Sequence, residues 1–224
     1  MEKYFQNSVL LQNTLLPYFC EENPLKLLNK AFYKLNYERY NTHLQPHGII
    51  VTYYPNGEIK ERCNYKNRKK DGLYEEYYNR SNSVIYIEPG QLIRKINYKN
   101  DLVNGSYEKF YSNGKLEENG NFKDGLLDGL LKKWYKNCLL KIQINYKNGK
   151  LDGLYEKWYG DGIWKLKYNY KNGELDGLYK DWFPNGKLYI KCYYKDNKLD
   201  GLYEEWDMNG ELCQMNNYKN GELI

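Results

Sequence analysis

Seven glycines cut most of this chain into units of one length. Gly48, Gly72, Gly105, Gly129, Gly153, Gly177 and Gly201 follow one another at 24 residues, except that Gly72 to Gly105 spans 33 through an insertion around Ser81–Gln91. The last three units read GLYEKWYGDGIWKLKYNYKNGELD, GLYKDWFPNGKLYIKCYYKDNKLD and GLYEEWDMNGELCQMNNYKNGELI. Self-similarity at a short fixed period means one supersecondary unit stacked on copies of itself. The array takes up nearly everything after residue 47, which leaves little room for a self-contained enzyme.

Within a unit numbered from its glycine, position 3 is usually tyrosine, position 6 is always aromatic and position 7 is usually tyrosine. Asn-Gly or Asp-Gly recurs at positions 9 and 10 (Asn56-Gly57, Asn113-Gly114, Asp161-Gly162, Asn185-Gly186, Asn209-Gly210) and again at positions 20 and 21 (Asp124-Gly125, Asn148-Gly149, Asn172-Gly173, Asn220-Gly221). Such pairs between alternating segments signal type I′ hairpin turns, whose two central residues both need positive φ. Each unit is therefore expected to be strand, turn, strand, turn. A two-residue turn at positions 9 and 10 sets 7 opposite 12, 5 opposite 14, 3 opposite 16, and the glycine opposite 18.

Opposed residues share a face, so Tyr155, Tyr159, Trp164, Leu166, Tyr168 and Tyr170 are predicted on one side. Positions 2, 4, 6, 13, 15, 17, 19 and 24 fall on the other. The charged position 5 is expected near the ribbon edge. The anchor glycine is expected to let the position-18 aromatic lie across it, as in aromatic rescue of a strand glycine.

Composition restricts the function. Tyrosine occurs 27 times, aromatics make up 17% of the chain, and mean hydropathy is -0.93. The aromatics are periodic, which distinguishes a packed repeat from a disordered chain. The net charge of +5 is too mild for a dedicated nucleic-acid binder. The N-terminus begins with acidic Glu2 and lacks the basic and apolar regions of a secretory signal. No apolar run reaches the ~18 residues of a membrane span. Cys20, Cys63, Cys138, Cys192 and Cys213 show no metal-ligand spacing and read as free thiols of a reducing cytosol. A cytoplasmic location follows, with peripheral membrane attachment as a variant.

Two recurrent sets are candidates for binding. Phe110, Trp134, Trp158, Trp182 and Trp206 occupy position 6 of successive units, either as a packing ladder with Leu130, Leu154, Leu178 and Leu202 or as a partner-binding strip. Position 19 is lysine in every unit, and Lys123, Lys147, Lys171, Lys195 and Lys219 follow Lys66 and Lys99 as candidate anion contacts. Acids at positions 4 and 24 share their expected face and should neutralise much of the field. His43 and His47 have the spacing of a metal pair, but Pro46 interrupts any helix between them. No catalytic, cofactor or metal set is visible.

These residues, in this order, resemble the MORN repeat. They are most similar to the variant in which G-x-Y-x-x-W/F-Y-x-N-G-K-L precedes Y-K-N-G-K-L-D-G, as in bacterial YwqK-type proteins. The resemblance covers residues 48–224. Ser81 and Cys138 depart from it at the first turn glycine, and Arg68, Asp101 and Asn197 at the second. It implies a hairpin-stack scaffold for protein contacts, sometimes for acidic phospholipids, with no common catalytic residues. Residues 1–47 hold a short apolar segment before Pro17, then Asn23-Pro24 and Leu25, Leu28, Phe32 and Leu35 on one helical face. This segment is distantly similar to an F-box and otherwise reads as a helical cap.

The expected fold is mostly β: an elongated single-sheet antiparallel meander of seven stacked hairpin repeats (48–224) with a short α-helical N-terminal cap or adaptor (1–47). The expected function is a non-enzymatic scaffold for protein–protein interaction. The alternatives are a YwqK-like antitoxin that neutralises a partner, a peripheral binder of acidic phospholipid, and an F-box-like adaptor.

Overall fold

A computed structural model describes residues 47–79, 88 and 90–224. The helical cap, the F-box-like segment, His43, Cys20 and Ser81 lie outside the described residues. The rest forms one open antiparallel sheet of 18 strands in which successive hairpin arms pair, an arm being split by its bulge in places, as Leu126–Leu127 and Gly129–Trp134 both pair with Leu116–Lys123. Two registers alternate. In the unit from Gly153, Lys150–Trp158 pairs with Trp164–Lys171 as Gly153↔Tyr170, Tyr155↔Tyr168 and Lys157↔Leu166. On its other side the same strand pairs Tyr155↔Ile144 and Leu151↔Tyr146. Positions 1, 3 and 5 thus oppose 18, 16 and 14, as expected.

The turn at positions 20 and 21 is type I′. Asn148 and Gly149 have φ of 49° and 77°, and Asn67-Arg68, Asn100-Asp101 and Asp196-Asn197 keep both angles positive without glycine. The turn at positions 9 and 10 differs from the expected I′ geometry. There only the glycine is left-handed, as at Gly162 with φ 92°. Gly162 N–H donates to the Tyr159 carbonyl at 3.0 Å, and Tyr159 N–H donates to Ile163 at 2.8 Å. This is a type I turn closed by a left-handed glycine bulge. Asparagine is favoured at position 9 for its side chain. Asn137 Oδ1 accepts the Leu139 N–H at 3.1 Å, and its Nδ2 donates to the Gly160 carbonyl of the next unit at 2.8 Å.

The turn holds three residues rather than two, so Tyr159 faces Ile163 and Trp158 opposes Trp164, and a bulge at position 13 then restores Lys157 opposite Leu166. Trp164 is therefore on the face of positions 2, 4 and 6, not with the tyrosines. Position 13 moves the other way: Glu117 pairs with Lys109 of position 5 at 3.2 Å, and Lys165 sits 5.1 Å from the Tyr159 ring. Position 5 is not at the edge. It lies in an inner row where Glu76 pairs with Arg94 and Lys133 with Glu118.

The anchor glycine has a different cause from the expected one. All seven have positive φ, from 89° at Gly48 to 123° at Gly201, and from Gly72 onward three residues (24, 1 and 2) bulge opposite the single position 17 of the preceding unit. A Cβ on Gly153 would meet Asn145 at 3.2 Å, not the Tyr170 ring. The position-18 rings instead pack edge-to-face on the position-3 tyrosine: Tyr74–Tyr98 at 6.0 Å, Tyr179–Tyr194 at 5.8 Å and Tyr203–Tyr218 at 6.1 Å. Tyr168 stacks between Tyr155 at 4.5 Å and Tyr179 at 5.3 Å. The buried apolar residues (Cys63, Tyr74, Ile96, Leu131, Ile144 and Cys192) all occupy positions 3 and 16. The core is thus a layer on one face of the sheet.

Position 7 supplies a second tie between units. The hydroxyls of Tyr54, Tyr78, Tyr111, Tyr135 and Tyr159 donate to the position-6 carbonyl of the following unit, at 2.6 Å from Tyr111 to Trp134 and 2.8 Å from Tyr135 to Trp158. Phe183 has no hydroxyl, so this rung is missing at Trp206.

Both the glycine bulge and the tyrosine rungs can be tested by single substitutions. Gly129→Ala, where an added methyl meets nothing within 4 Å, should cost about 1–3 kcal/mol for backbone strain alone, and Gly153→Ala should cost more. Thermal melts showing no loss at Gly129 would reject backbone strain as the cause. Phe183→Tyr should add a rung and raise stability in urea by ~1 kcal/mol, and Tyr135→Phe should lower it by a similar amount.

Candidate interaction surfaces

The two faces differ in what they leave available. One is filled by the tyrosine layer. The other carries Phe110, Trp134, Trp158, Trp182 and Trp206, all half-buried, in line along the sheet. The bulge adds Trp164 to them. Its ring lies 4.6 Å from Trp158 and 5.9 Å from Trp182, so three indoles form a continuous strip. Beside them Leu154, Leu178, Asn169, Lys167 and Lys180 line an open depression with Trp164 and Trp182. The sequence pattern placed Trp164 on the wrong face because the extra residue of the first turn was not counted.

A row of position-4 and position-15 side chains runs across this face, and most of its charges are matched. Glu75 pairs with Arg62 and is 6% exposed; Glu156 is 7% exposed and accepts from Lys167 at 3.0 Å and Gln143 at 3.1 Å. Lys191 reaches Glu204 at 2.7 Å. Isolated carboxylates so deeply placed would be costly, and these are offset by a cation or amide on the neighbouring strand.

The position-19 lysines lie at the I′-turn edge. Lys66, Lys99, Lys123, Lys147, Lys171, Lys195 and Lys219 are all exposed. Among the described residues only Lys219 of the seven forms an ion pair, with Asp200 at 3.0 Å. The Asp200 carboxyl is held below the usual range by that lysine and by the Asn220 N–H. The position-24 acids hold the backbone: Asp128 accepts the Asn148 N–H and Asp152 the Asn172 N–H, each at 3.1 Å. They fasten these turns to the preceding unit.

Most of these features recur with the period, as does the family signal. The sequence model of one family, described as a MORN repeat variant, matches residues 46–67, 103–124, 175–196 and 199–220. Each match runs from position 23 to position 20, in one phase. Four of the seven units thus match the MORN repeat variant. The units between the matches share the glycine register of the matched ones: Gly72↔Tyr98, Gly129↔Tyr146 and Gly153↔Tyr170. MORN repeats are generally protein or membrane interaction modules and typically non-catalytic. No curated protein matches this chain. Among the described residues no group of three or more His, Cys, Asp or Glu could hold a metal, and no helix is long and apolar enough to cross a membrane.

Burial within the core gives a readout of folding. It pushes the Cys192 thiol up to about 11 and raises the phenols of Tyr74, Tyr168 and Tyr179 above their ordinary value of 10.0. A pKa raised in the folded state contributes stability below the unfolded value, and that stability is lost as pH rises through the folded value. The fold should therefore lose stability progressively as pH rises from about 9 toward about 11, a change checked by urea titrations followed by phenolate absorbance. At pH 8 iodoacetamide should label exposed Cys138 and Cys213 and spare buried Cys63 and Cys192. Labelling of Cys192 without unfolding would contradict its burial.

Proposed function

We propose that the chain is a non-enzymatic MORN scaffold that binds a protein partner across its tryptophan-bearing face. The contact of Trp158, Trp164 and Trp182 carries this reading. Three touching, half-exposed indoles beside apolar Leu154 and Leu178 form the kind of aromatic cluster that dominates protein interfaces. The opposite face offers fewer such anchors, since its rings are spent on one another. An antitoxin-like role is one form of the same binding, and it requires the partner to lose an activity on capture.

The lysine edge makes a weaker case for acidic phospholipid. Asp101, Asp124, Glu174, Asp196 and Glu222 occupy the same turns, so a membrane would meet alternating charge. Any such contact should dissolve at high salt.

Trp164→Leu separates binding from folding. Position 12 is leucine in most other units, as at Leu140, Leu188 and Leu212, so the repeat already accommodates that side chain. The variant should melt like the wild type within ~1 kcal/mol and lose partner affinity by about tenfold. The check is titration with the protein captured by photo-crosslinking from position 178. Unchanged affinity would move the interface off this strip.

A further inference from the structure

The charge row on the tryptophan face alternates until it reaches three consecutive strands. There Lys167 stands directly opposite Lys180, and Lys180 directly opposite Lys191. Like charges set opposite one another across strands destabilise a sheet. The outer two are compensated: Lys167 by Glu156 at 3.0 Å and Lys191 by Glu204 at 2.7 Å. Lys180 forms no ion pair or hydrogen bond among the described residues, although it lies between two cations. The position it fills is glutamate in several other units, as at Glu75, Glu108, Glu156 and Glu204. An acid there would have paired with both neighbours. The fold therefore carries an uncompensated cation where its own repeat offers the compensating residue.

That cation is not on a bare surface. Lys180 and Lys167 line the depression walled by Trp164, Trp182, Leu154 and Leu178, with the Asn169 amide beside them. Lys167 also sits 5.0 Å over the Trp164 ring, so its stem and the indole are already held together. We propose that this depression receives an acidic segment of a partner protein, with an Asp or Glu carboxylate seated on Lys180 and flanking apolar side chains against the indoles. The inference rests on the partner-binding reading above and adds the chemistry of the partner.

Size and charge favour a protein segment over a membrane or a nucleic acid. Lys167 to Lys191 spans two strand spacings, about 9.6 Å, and Glu156 and Glu204 bound the row on either side. A field so confined matches one or two carboxylates. A lipid surface or a phosphate backbone presents anions well beyond it and would meet those glutamates. The apolar walls likewise suit side chains better than headgroups.

The test is a random linear peptide library selected against the full chain, Lys180→Glu and Trp164→Leu in parallel. Wild type should enrich peptides with Asp or Glu next to aliphatic or aromatic residues, at least tenfold over input. Lys180→Glu should lose that enrichment while keeping the fold. It should also melt higher, by about 2 °C, because both neighbours gain an acid. Selection of peptides without acidic bias, enrichment unchanged in Lys180→Glu, or no enrichment on wild type would each overturn the proposal. So would sedimentation with phosphatidylserine vesicles that depends on Lys180. The two readings fail separately. Acid-free peptides that need Trp164 but not Lys180 would sink the carboxylate site and leave the scaffold interface standing. Acidic peptides that need Lys180 but not Trp164 would do the reverse.

Discussion

Register parity is the constraint on which the rest of this sheet depends. Side chains alternate with period two, so one extra residue in a strand sends everything beyond it to the other face, and two extra residues leave the faces unchanged. Each 24-residue unit contains one insertion of each kind. The single extra residue at position 13 carries position 12 to the far face, where Trp164 joins Trp158. The bulge of positions 24, 1 and 2 opposite position 17 adds two, so the position-3 tyrosine stays on the face of position 16 of the preceding unit, as where Tyr179 stacks on Tyr168. The left-handed glycine makes that second bulge possible. Without it the tyrosine layer would lose its continuity from one unit to the next.

The two faces consequently spend their chemistry differently. Rings and small apolar side chains occupy positions 3, 16 and 18, and their cohesion is worth about 0.5–1.5 kcal/mol per ring pair beyond area burial. The other face is a row of largely matched charges between a line of leucines and a line of indoles. Backbone ties then join one unit to the next at both edges: position-7 hydroxyls at the first turn, and position-24 carboxylates at the second. Because these ties recur, they explain why tyrosine returns at position 7 and aspartate at position 24, and such residues are not free for a singular role.

The hairpin array, the pairing of 1, 3 and 5 with 18, 16 and 14, and the second turn were legible from the residues alone. Asn148-Gly149 needs two positive φ angles and has them. The first turn misled because one dipeptide serves two geometries. Asn185-Gly186 looks like a I′ turn, yet its asparagine is chosen for a side chain that accepts the Lys187 N–H at 3.0 Å and donates to Met208 at 2.9 Å. That misreading of one turn misplaced Trp164 and hid the indole that joins Trp158 to Trp182. The glycine's partner was misread for a related reason: opposition to Tyr170 was correct, but a bulge separates what faces from what touches, and Asn145 is what a methyl would meet. The three-lysine row was invisible without a register, since its members are 11 to 13 residues apart in the chain.

In a repeat array, residues that obey the period are explained by the fold, so functional information resides in uncompensated departures from it. Some departures are compensated. Gly120 replaces a larger residue at position 16, and a Cβ there would come within 2.9 Å of Leu131, which fills the space. Cys138 replaces a turn glycine and still adopts φ 69°. Trp164 and Lys180 are different. Trp164 stands where leucine suffices elsewhere, and Lys180 stands where glutamate would pair with both neighbours. Each gives up something the neighbouring units keep, and the two line one depression on the same face. Two unrelated substitutions converging on a single open site are better accounted for by what the site binds than by what the sheet needs.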